Sequence, residues 1–411
     1  MPSATPVPRG PSRLALFGAE DLLGPAGCPV CQYVAEGRDR FLGWFALEAH
    51  AEPGMITRLC RSLGLCPAHT RGLLAQPGAA GRMTAVYGYV LRAAAGYLAG
   101  EAAPDAPCPG CAHDREATQR ALDTLVTGLR EQGVRERYRD GGGLCLPHLR
   151  AAAPRAGRRL AAWLAGETIT RLAGEPPAPA TMAGDQQADA DLRVRLRAAL
   201  PATPAAWGIC EPCLAAAHAE RDALAQPGAG LCPEHLREIF SGPAGREPPA
   251  LAARLLEQES ARSAAWLAGL TSAAGPRPGF GWLAGRHREP RGGDDHGACP
   301  ACQAATAGAS HALASFPQRV AARPASQGAG LCLRHVMSLR RRDPRGAVPV
   351  IRSVTRSAGA VLAELDEAFR KRAWAHRHEP RGPEMTAWRR AAALIDGGVY
   401  GGGPPGPLAY H

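Results

Sequence analysis

Four copies of a paired cysteine and histidine pattern constrain the possible folds of this chain more than any other feature. In each copy a Cys-x-x-Cys pair is followed by a Gly-Leu-Cys-x-x-His pair. The first copy contains Cys28, Cys31, Cys66 and His69, the second Cys108, Cys111, Cys145 and His148, the third Cys210, Cys213, Cys232 and His235, and the fourth Cys299, Cys302, Cys332 and His335. Three thiolates and one imidazole form a complete ligand set for one tetrahedral zinc ion. The sequence therefore predicts up to four zinc ions per chain.

The spacing within a copy predicts which ligands share a metal. Between Cys31 and Cys66 there is room for one helix that runs outward and a second that returns. We therefore expect each copy to form a helical hairpin whose open end is clamped by its own four ligands. The sequence predicts an all-α protein of four tandem helical-hairpin units, each clamped by a three-cysteine, one-histidine zinc site.

The residues around the ligands favour helices. Apolar residues recur every three or four positions from Met83 to Leu98, which is typical of an amphipathic helix. Pro67 suits the first turn of a helix, and Gly64 permits a tight turn just before it. A helix N-terminus also stabilises a thiolate, because its free N–H groups point at the sulfur. The second pair of each copy is therefore expected at the start of a helix.

The domain boundaries follow from the four copies and from two Pro- and Gly-rich stretches. We expect a mobile N-terminus at 1–24, zinc unit 1 at 25–101, zinc unit 2 at 104–174, a linker at 175–204, zinc unit 3 at 205–270, a linker at 271–297, zinc unit 4 at 298–376, and a C-terminal segment with a short helix and flexible tail at 377–411.

The ligand chemistry leaves several functions open. A site filled by four protein ligands has no position for a reactive water, so hydrolytic zinc catalysis is disfavoured, and the sequence identifies no catalytic residue. A structural or interaction scaffold is the favoured function, with another protein as its partner. An iron–sulfur cluster is an alternative occupant, because thiolates and imidazole also hold such clusters. A zinc–thiolate redox sensor is an alternative function.

Nucleic-acid binding is a further alternative, suggested by the formal charge of +11. The run Arg340, Arg341 and Arg342, with Arg334 nearby, could face phosphates. Such runs are more often a solvated face, and aromatic residues are only 5% of the chain. Cys60, the thirteenth cysteine, is expected to be a small buried residue rather than a reactive thiol.

The chain carries no export signal and no uninterrupted apolar stretch of about 18 residues, so we expect a cytoplasmic protein without a membrane span. Reduced thiols in that compartment favour metal ligation over disulfides. His113 and His218 follow the first pairs of their copies at different offsets, and they are therefore interpreted as surface or second-shell residues.

The C-terminal part adds a resemblance. Behind the motif pairs lies the segment Arg377-His-Glu-Pro380, followed by a helix that contains Trp388 and stops at Gly397. Together, the motif pairs and this C-terminal segment resemble a bacterial domain family of unknown function. Members of that family carry Cys-Pro-x-Cys and Gly-x-Cys-x-x-His pairs on helices. The resemblance implies a helical fold and brings no activity or substrate.

Overall fold

The computed structural model describes residues 13–24, 27–74, 76, 79–173, 210–224, 235, 263–271, 299–321 and 330–397. Within these ranges the regular structure is helical and no strand occurs, which confirms the predicted all-α class. The α-helices are α1 (Arg13–Leu22), α2 (Pro29–Leu47), α3 (Pro53–Ser62), α4 (Pro67–Leu74), α5 (Ala79–Ala99), α6 (Pro109–Gly128), α7 (Gln132–Asp140), α8 (Leu146–Ala173), α9 (Glu211–Leu224), α10 (263–271), α11 (Pro300–Ala314), α12 (Phe316–Ala321), α13 (Leu333–Arg342), α14 (Ala347–Arg370) and α15 (Ala387–Asp396). Short 3-10 helices cover Ala49–Ala51, Trp374–His376 and Pro383–Thr386.

The helices form two compact units that do not follow the predicted boundaries. The first unit takes segments from Met1–Gly37, Asp114–Gln187 and Ala250–Asp295. The second takes segments from Arg38–His113, Ala188–Pro249 and His296–His411. Helices α2 and α6 each begin in one unit and end in the other, so neither of the first two sequence copies forms a unit alone.

The core of the first unit is built around Tyr138 on α7, which is fully buried. Its hydroxyl accepts a hydrogen bond from the backbone N–H of Leu144 at 3.0 Å, and its ring lies 5.5 Å from that of Trp163. Leu125 of α6 and Leu164 of α8 complete the surrounding apolar cluster. This packing fixes the turn that leads into Cys145.

The core of the second unit lies between α5, the amphipathic helix predicted from its apolar spacing, and α14. Val90 of α5 and Val354 of α14 belong to one buried cluster with Phe45 of α2. α15 packs against the same cluster through Ala391 and Ile395, both fully buried. The predicted C-terminal helix is therefore confirmed, and it ends at Gly397, which has a left-handed φ of 90°.

The segment 1–24, predicted as a mobile N-terminus, contains a helix. α1 covers Arg13–Leu22, and Ala19 on it is fully buried. Gly128 of α6 permits this packing, because a Cβ there would overlap the Ala19 methyl group. Ala19 thus gains a packing partner that local sequence does not reveal. The predicted linker at 175–204 lies outside the described residues, as does the predicted linker at 271–297 apart from residue 271, which ends α10.

Among the described residues, no helix has both the length and the apolar character needed to cross a membrane.

Candidate metal centres

Every described ligand pair that begins with cysteine lies at the start of a helix. The carbonyl of its first cysteine accepts the first helical hydrogen bond, as Cys28 does from Gln32 at 3.1 Å and Cys66 does from Thr70 at 2.9 Å. The same bond is formed by Cys108, Cys145, Cys210, Cys299 and Cys332. The second ligand follows three residues later and returns to the same side of the helix end. The spacing of three thus aims both side chains at one point.

The turns before the Cys-x-x-His pairs contain the predicted glycines. Gly64, Gly143 and Gly330 have φ values of 78°, 68° and 60°, a left-handed conformation that glycine adopts without strain. The equivalent Gly230 lies outside the described residues.

The structure brings the predicted ligands together in a different pairing. Four groups have ligand atoms that lie within 4.8 Å of one another. Group I contains Cys28, Cys31, Cys145 and His148; group II contains Cys66, His69, Cys108 and Cys111; group III contains Cys210, Cys213, Cys332 and His335; group IV contains His235, Cys299 and Cys302. Cys232, the remaining predicted ligand, lies outside the described residues.

The prediction that each copy clamps itself is therefore wrong, although its ligand types are confirmed. The first pair of copy one joins the last pair of copy two, and the two inner pairs join each other. Copies three and four repeat this nested order. Cys28 and His148 of group I are 120 residues apart, and Cys210 and His335 of group III are 125 residues apart.

Helix lengths explain the nested pairing. α2 has 19 residues and spans about 28 Å, whereas the returning α3 has 10 residues and spans about 15 Å. α6 and α7 repeat this imbalance with 20 and 9 residues. The returning helix is too short to carry its ligand pair back to the start of the outgoing helix.

The far end of each long helix meets the start of the other. Val30 at the start of α2 shares a buried cluster with Leu125 near the end of α6. Phe41, later on α2, stacks on His113 at the start of α6 with ring centroids 4.8 Å apart. The two helices therefore run antiparallel, and each Cys-x-x-His pair meets the Cys-x-x-Cys pair of the other copy.

The distances within the groups fit one tetrahedral ion. Zn–S and Zn–N bonds of ordinary length at tetrahedral angles place two sulfurs about 3.8 Å apart and a sulfur about 3.6 Å from a nitrogen. In group I Cys31 Sγ is 3.7 Å from Cys145 Sγ, and in group II Cys111 Sγ is 3.6 Å from Cys66 Sγ. In group III Cys213 Sγ lies 3.9 Å from Cys332 Sγ.

Each histidine directs its Nδ1 atom at the thiols. His148 Nδ1 lies 3.3 Å from Cys31 Sγ, His69 Nδ1 3.6 Å from Cys111 Sγ, and His335 Nδ1 3.4 Å from Cys213 Sγ. Groups I, II and III therefore present three sulfurs and one nitrogen to a common point, with every tetrahedral position filled by protein. These groups can bind metal ions and leave no place for a substrate.

Group IV has an additional polar neighbour. His235 Nδ1 lies 3.3 Å from Cys299 Sγ and 3.6 Å from Cys302 Sγ. The opposite nitrogen, Nε2, is 2.5 Å from the carboxylate of Glu220 on α9. Both side chains are largely buried.

The ligands of group I share their protons unevenly. In group I, hydrogen bonds from Cys145 and Cys31 lower the pKa of Cys28, whereas the bond with Cys28 raises the pKa of Cys145. Burial opposes protonation of His148, but its contacts with Cys28 and Cys31 outweigh this and raise its pKa to about 9. Closely packed thiols thus keep some protons, which a divalent cation must displace when it binds.

Two glycines shape the space beside the ligands. A Cβ on Gly110, between Cys108 and Cys111, would overlap the His69 ring. A Cβ on Gly397 would lie 3.1 Å from the Cys213 Cβ, and the Gly397 carbonyl accepts a hydrogen bond from the Cys210 N–H at 3.0 Å. The end of α15 is therefore in direct contact with group III.

The remaining sequence candidates lie outside the four groups. Cys60 is half-buried on α3, its thiol donates to the Tyr89 carbonyl at 3.6 Å, and burial raises its pKa. His113 and His218 do not contribute to any of the described groups, in line with their interpretation as non-ligands.

Arg340, of the run Arg340–Arg342, and the nearby Arg334 form hydrogen bonds within the protein. Arg340 Nη1 donates to the Tyr97 and Leu98 carbonyls at 2.7 and 3.2 Å, which caps the C-terminus of α5. Arg334 donates to the Leu63 and Leu65 carbonyls at 2.9 and 3.2 Å.

Sequence reasoning missed Glu220 and Gly110. Glu220 follows Cys213 on a helix that starts at group III, and nothing in its local sequence indicates a role at group IV. Gly110 occupies a position where the other Cys-x-x-Cys pairs have Val30, Pro212 and Ala301, so a comparison of the copies could have drawn attention to it.

Comparison of the chain with protein-family models, with curated proteins and with solved structures gave no match.

Proposed function

We propose that the chain is a zinc-binding helical repeat protein in which the metal ions are structural and the helices form an interaction scaffold for another protein. The observation that carries this proposal is the convergence of two helix starts, from distant parts of the sequence, on each described four-ligand point. An ion bound there cross-links the fold. Zinc binding to such ligand sets contributes about 10–16 kcal/mol in small model peptides.

The ligand geometry supports zinc over an iron–sulfur cluster. The four ligands of a cubane cluster bind four separate iron atoms, so their donor atoms are spread around the cluster. In the described groups the donor atoms lie within 4.8 Å of one another, which suits a single ion. We infer that Cys232 completes group IV, because it precedes His235 by the same three residues as in the other Cys-x-x-His pairs.

A closed ligand set also supports a structural function over catalysis. With four protein ligands, zinc has no open coordination position to activate water. A cytoplasmic location and membership of the bacterial family with similar pairs stay predictions from the sequence.

Metal analysis of the protein purified without added metal tests the proposal. We expect about four zinc ions per chain, and we expect a strong chelator to abolish cooperative thermal unfolding and reduce helicity. Addition of zinc to the chelated protein should restore both. Iron with visible absorbance, or full helicity and cooperativity after complete metal removal, would contradict the proposal.

A zinc–thiolate redox sensor is the second candidate, and the half-buried thiols of group I favour it. Hydrogen peroxide would oxidise two thiolates to one disulfide and be reduced to two water molecules by taking up two protons, with release of zinc. Reversible zinc release at low peroxide doses, with recovery on addition of a dithiol, would support this function. Release only alongside irreversible aggregation would exclude it.

Nucleic-acid binding receives less support. Arg334 and Arg340 donate hydrogen bonds to backbone carbonyls within the protein, so the cationic surface is smaller than the sequence suggests. Salt-dependent retention on DNA or RNA would be the sign of such a function.

A further inference from the structure

We propose that Glu220 is a positioning residue for the fourth metal centre and sets how firmly His235 holds the ion. This inference rests on the proposed zinc function and concerns a residue that is not itself a ligand. Its starting point is the 2.5 Å contact between Glu220 Oε1 and His235 Nε2.

The two ring nitrogens of His235 face different partners. Nδ1 faces the Cys299 and Cys302 sulfurs, so it is the atom that binds the ion. Nε2 faces the carboxylate and must carry the proton that it donates to Glu220. The carboxylate therefore holds the tautomer in which Nδ1 has a free lone pair.

Burial strengthens the hydrogen bond between Glu220 and His235. The His235 and Glu220 side chains are only 6% and 13% exposed, so water competes poorly for their hydrogen bond. A buried carboxylate that accepts the imidazole N–H also makes the ring a stronger electron donor toward the metal. The ring orientation and the strength of the Nδ1 ligand thus both depend on Glu220.

The position of Glu220 connects two metal centres through one helix. Cys210 lies just before α9 and Cys213 on its first turn, both as ligands of group III, and Glu220 lies two turns further along the same helix. α9 packs closely on α11, whose first turn carries Cys302, and a Cβ on Gly308 of α11 would lie 2.8 Å from the Ala215 carbonyl. The close packing keeps the carboxylate at the distance that the His235 ring requires.

The test compares Glu220→Ala and Glu220→Gln with wild type and with Asp222→Asn. Asp222 is on the same helix, but its side chain is 63% exposed and is paired with its neighbour Arg221. The zinc-loaded proteins are titrated with a chromogenic zinc chelator, and the amount and affinity of released zinc are measured. Loss of a carboxylate partner of a ligand histidine typically weakens metal binding about 10–100-fold.

In Glu220→Ala we expect one zinc per chain to bind about 10–100-fold more weakly, while the others behave as in wild type. Glu220→Gln, which keeps an acceptor oxygen, should recover part of the affinity, and Asp222→Asn should match wild type. In NMR spectra the slowly exchanging His235 Nε2 proton should disappear in Glu220→Ala.

Three outcomes decide the inference. Zinc release from both Glu220 variants that equals wild type would overturn it while leaving the zinc function intact. If Glu220→Ala fails to fold, Glu220→Gln with wild-type release and an unchanged His235 Nε2 signal would also overturn it. A wild-type protein that binds no zinc would refute the zinc function together with the inference.

Discussion

The nested ligand pairing can be tested by counting metal ions in double variants. Cys31 and Cys145 belong to the same group, with sulfurs 3.7 Å apart, whereas Cys66 belongs to a different group. Each single change to serine should remove one ion and leave about three zinc ions per chain. Cys31→Ser/Cys145→Ser should also leave about three, because both changes damage one site.

The matched control is Cys31→Ser/Cys66→Ser, which damages two groups in the structure and should leave about two zinc ions per chain. If each copy used its own ligands, the two double variants would exchange their results. Metal analysis after gel filtration gives the counts, and thermal unfolding gives the associated stability. We expect the same-group changes to be strongly non-additive in the free energy of unfolding, because the second change acts on a site that has already lost its ion.

The result that would refute the reasoning is about two zinc ions in Cys31→Ser/Cys145→Ser together with about three in Cys31→Ser/Cys66→Ser. Because the two variants carry the same kind and number of substitutions and share Cys31→Ser, a general loss of stability would not reverse their order. The corresponding pair for copies three and four is Cys213→Ser/Cys332→Ser, which should likewise lose only one ion.

Three further predictions concern a glycine beside group II and a buried tyrosine in the core of the first unit. Gly110→Ala should speed zinc release from group II, because the added methyl group overlaps the His69 ring. The control is Gly359→Ala, at an open and exposed helix position, which should raise the free energy of unfolding by about 0.5–1 kcal/mol. Equal rates of zinc release from the two variants would contradict the steric argument. Tyr138→Phe should lower the free energy of unfolding by about 1–3 kcal/mol, because the buried Leu144 N–H loses its acceptor. Burial raises the pKa of Tyr138, so its protonated hydroxyl stabilises the fold fully below about pH 10 and loses this contribution as the pH rises toward the folded-state pKa. Urea unfolding at increasing pH should show this alkaline loss in wild type and a smaller one in Tyr138→Phe.

The sequence by itself determined the local chemistry of this protein. A cysteine followed three residues later by a second ligand, with Pro67 or Pro109 in the first helical turn, specifies a helix start that aims two donors at one side. The glycine before each Cys-x-x-His pair specifies the left-handed turn, as Gly64 shows. These features depend on neighbouring residues only, and the helices and ligand types followed from them.

The ion pairs that hold the C-terminal segment against α14 could not be predicted from the local sequence. Lys371, the only lysine in the chain, donates to the Pro380 carbonyl at 2.7 Å and pairs with Glu384 at 2.9 Å. Arg370 likewise pairs with Glu379, which directly precedes Pro380. The sequence contains these charges without indicating which of the many carboxylates each one meets.

Only the tertiary structure decided which ligands share a metal ion. Every copy carries a chemically complete set of three thiols and one imidazole, so ligand chemistry cannot distinguish a copy's own pair from that of its neighbour. The choice depends on geometry: α2 is about twice as long as α3, and it packs antiparallel to α6, so the start of each long helix faces the returning pair of the other copy. The local sequence therefore supplies the ligands. Helix packing, which depends on contacts between distant segments, determines which ligands share a metal centre.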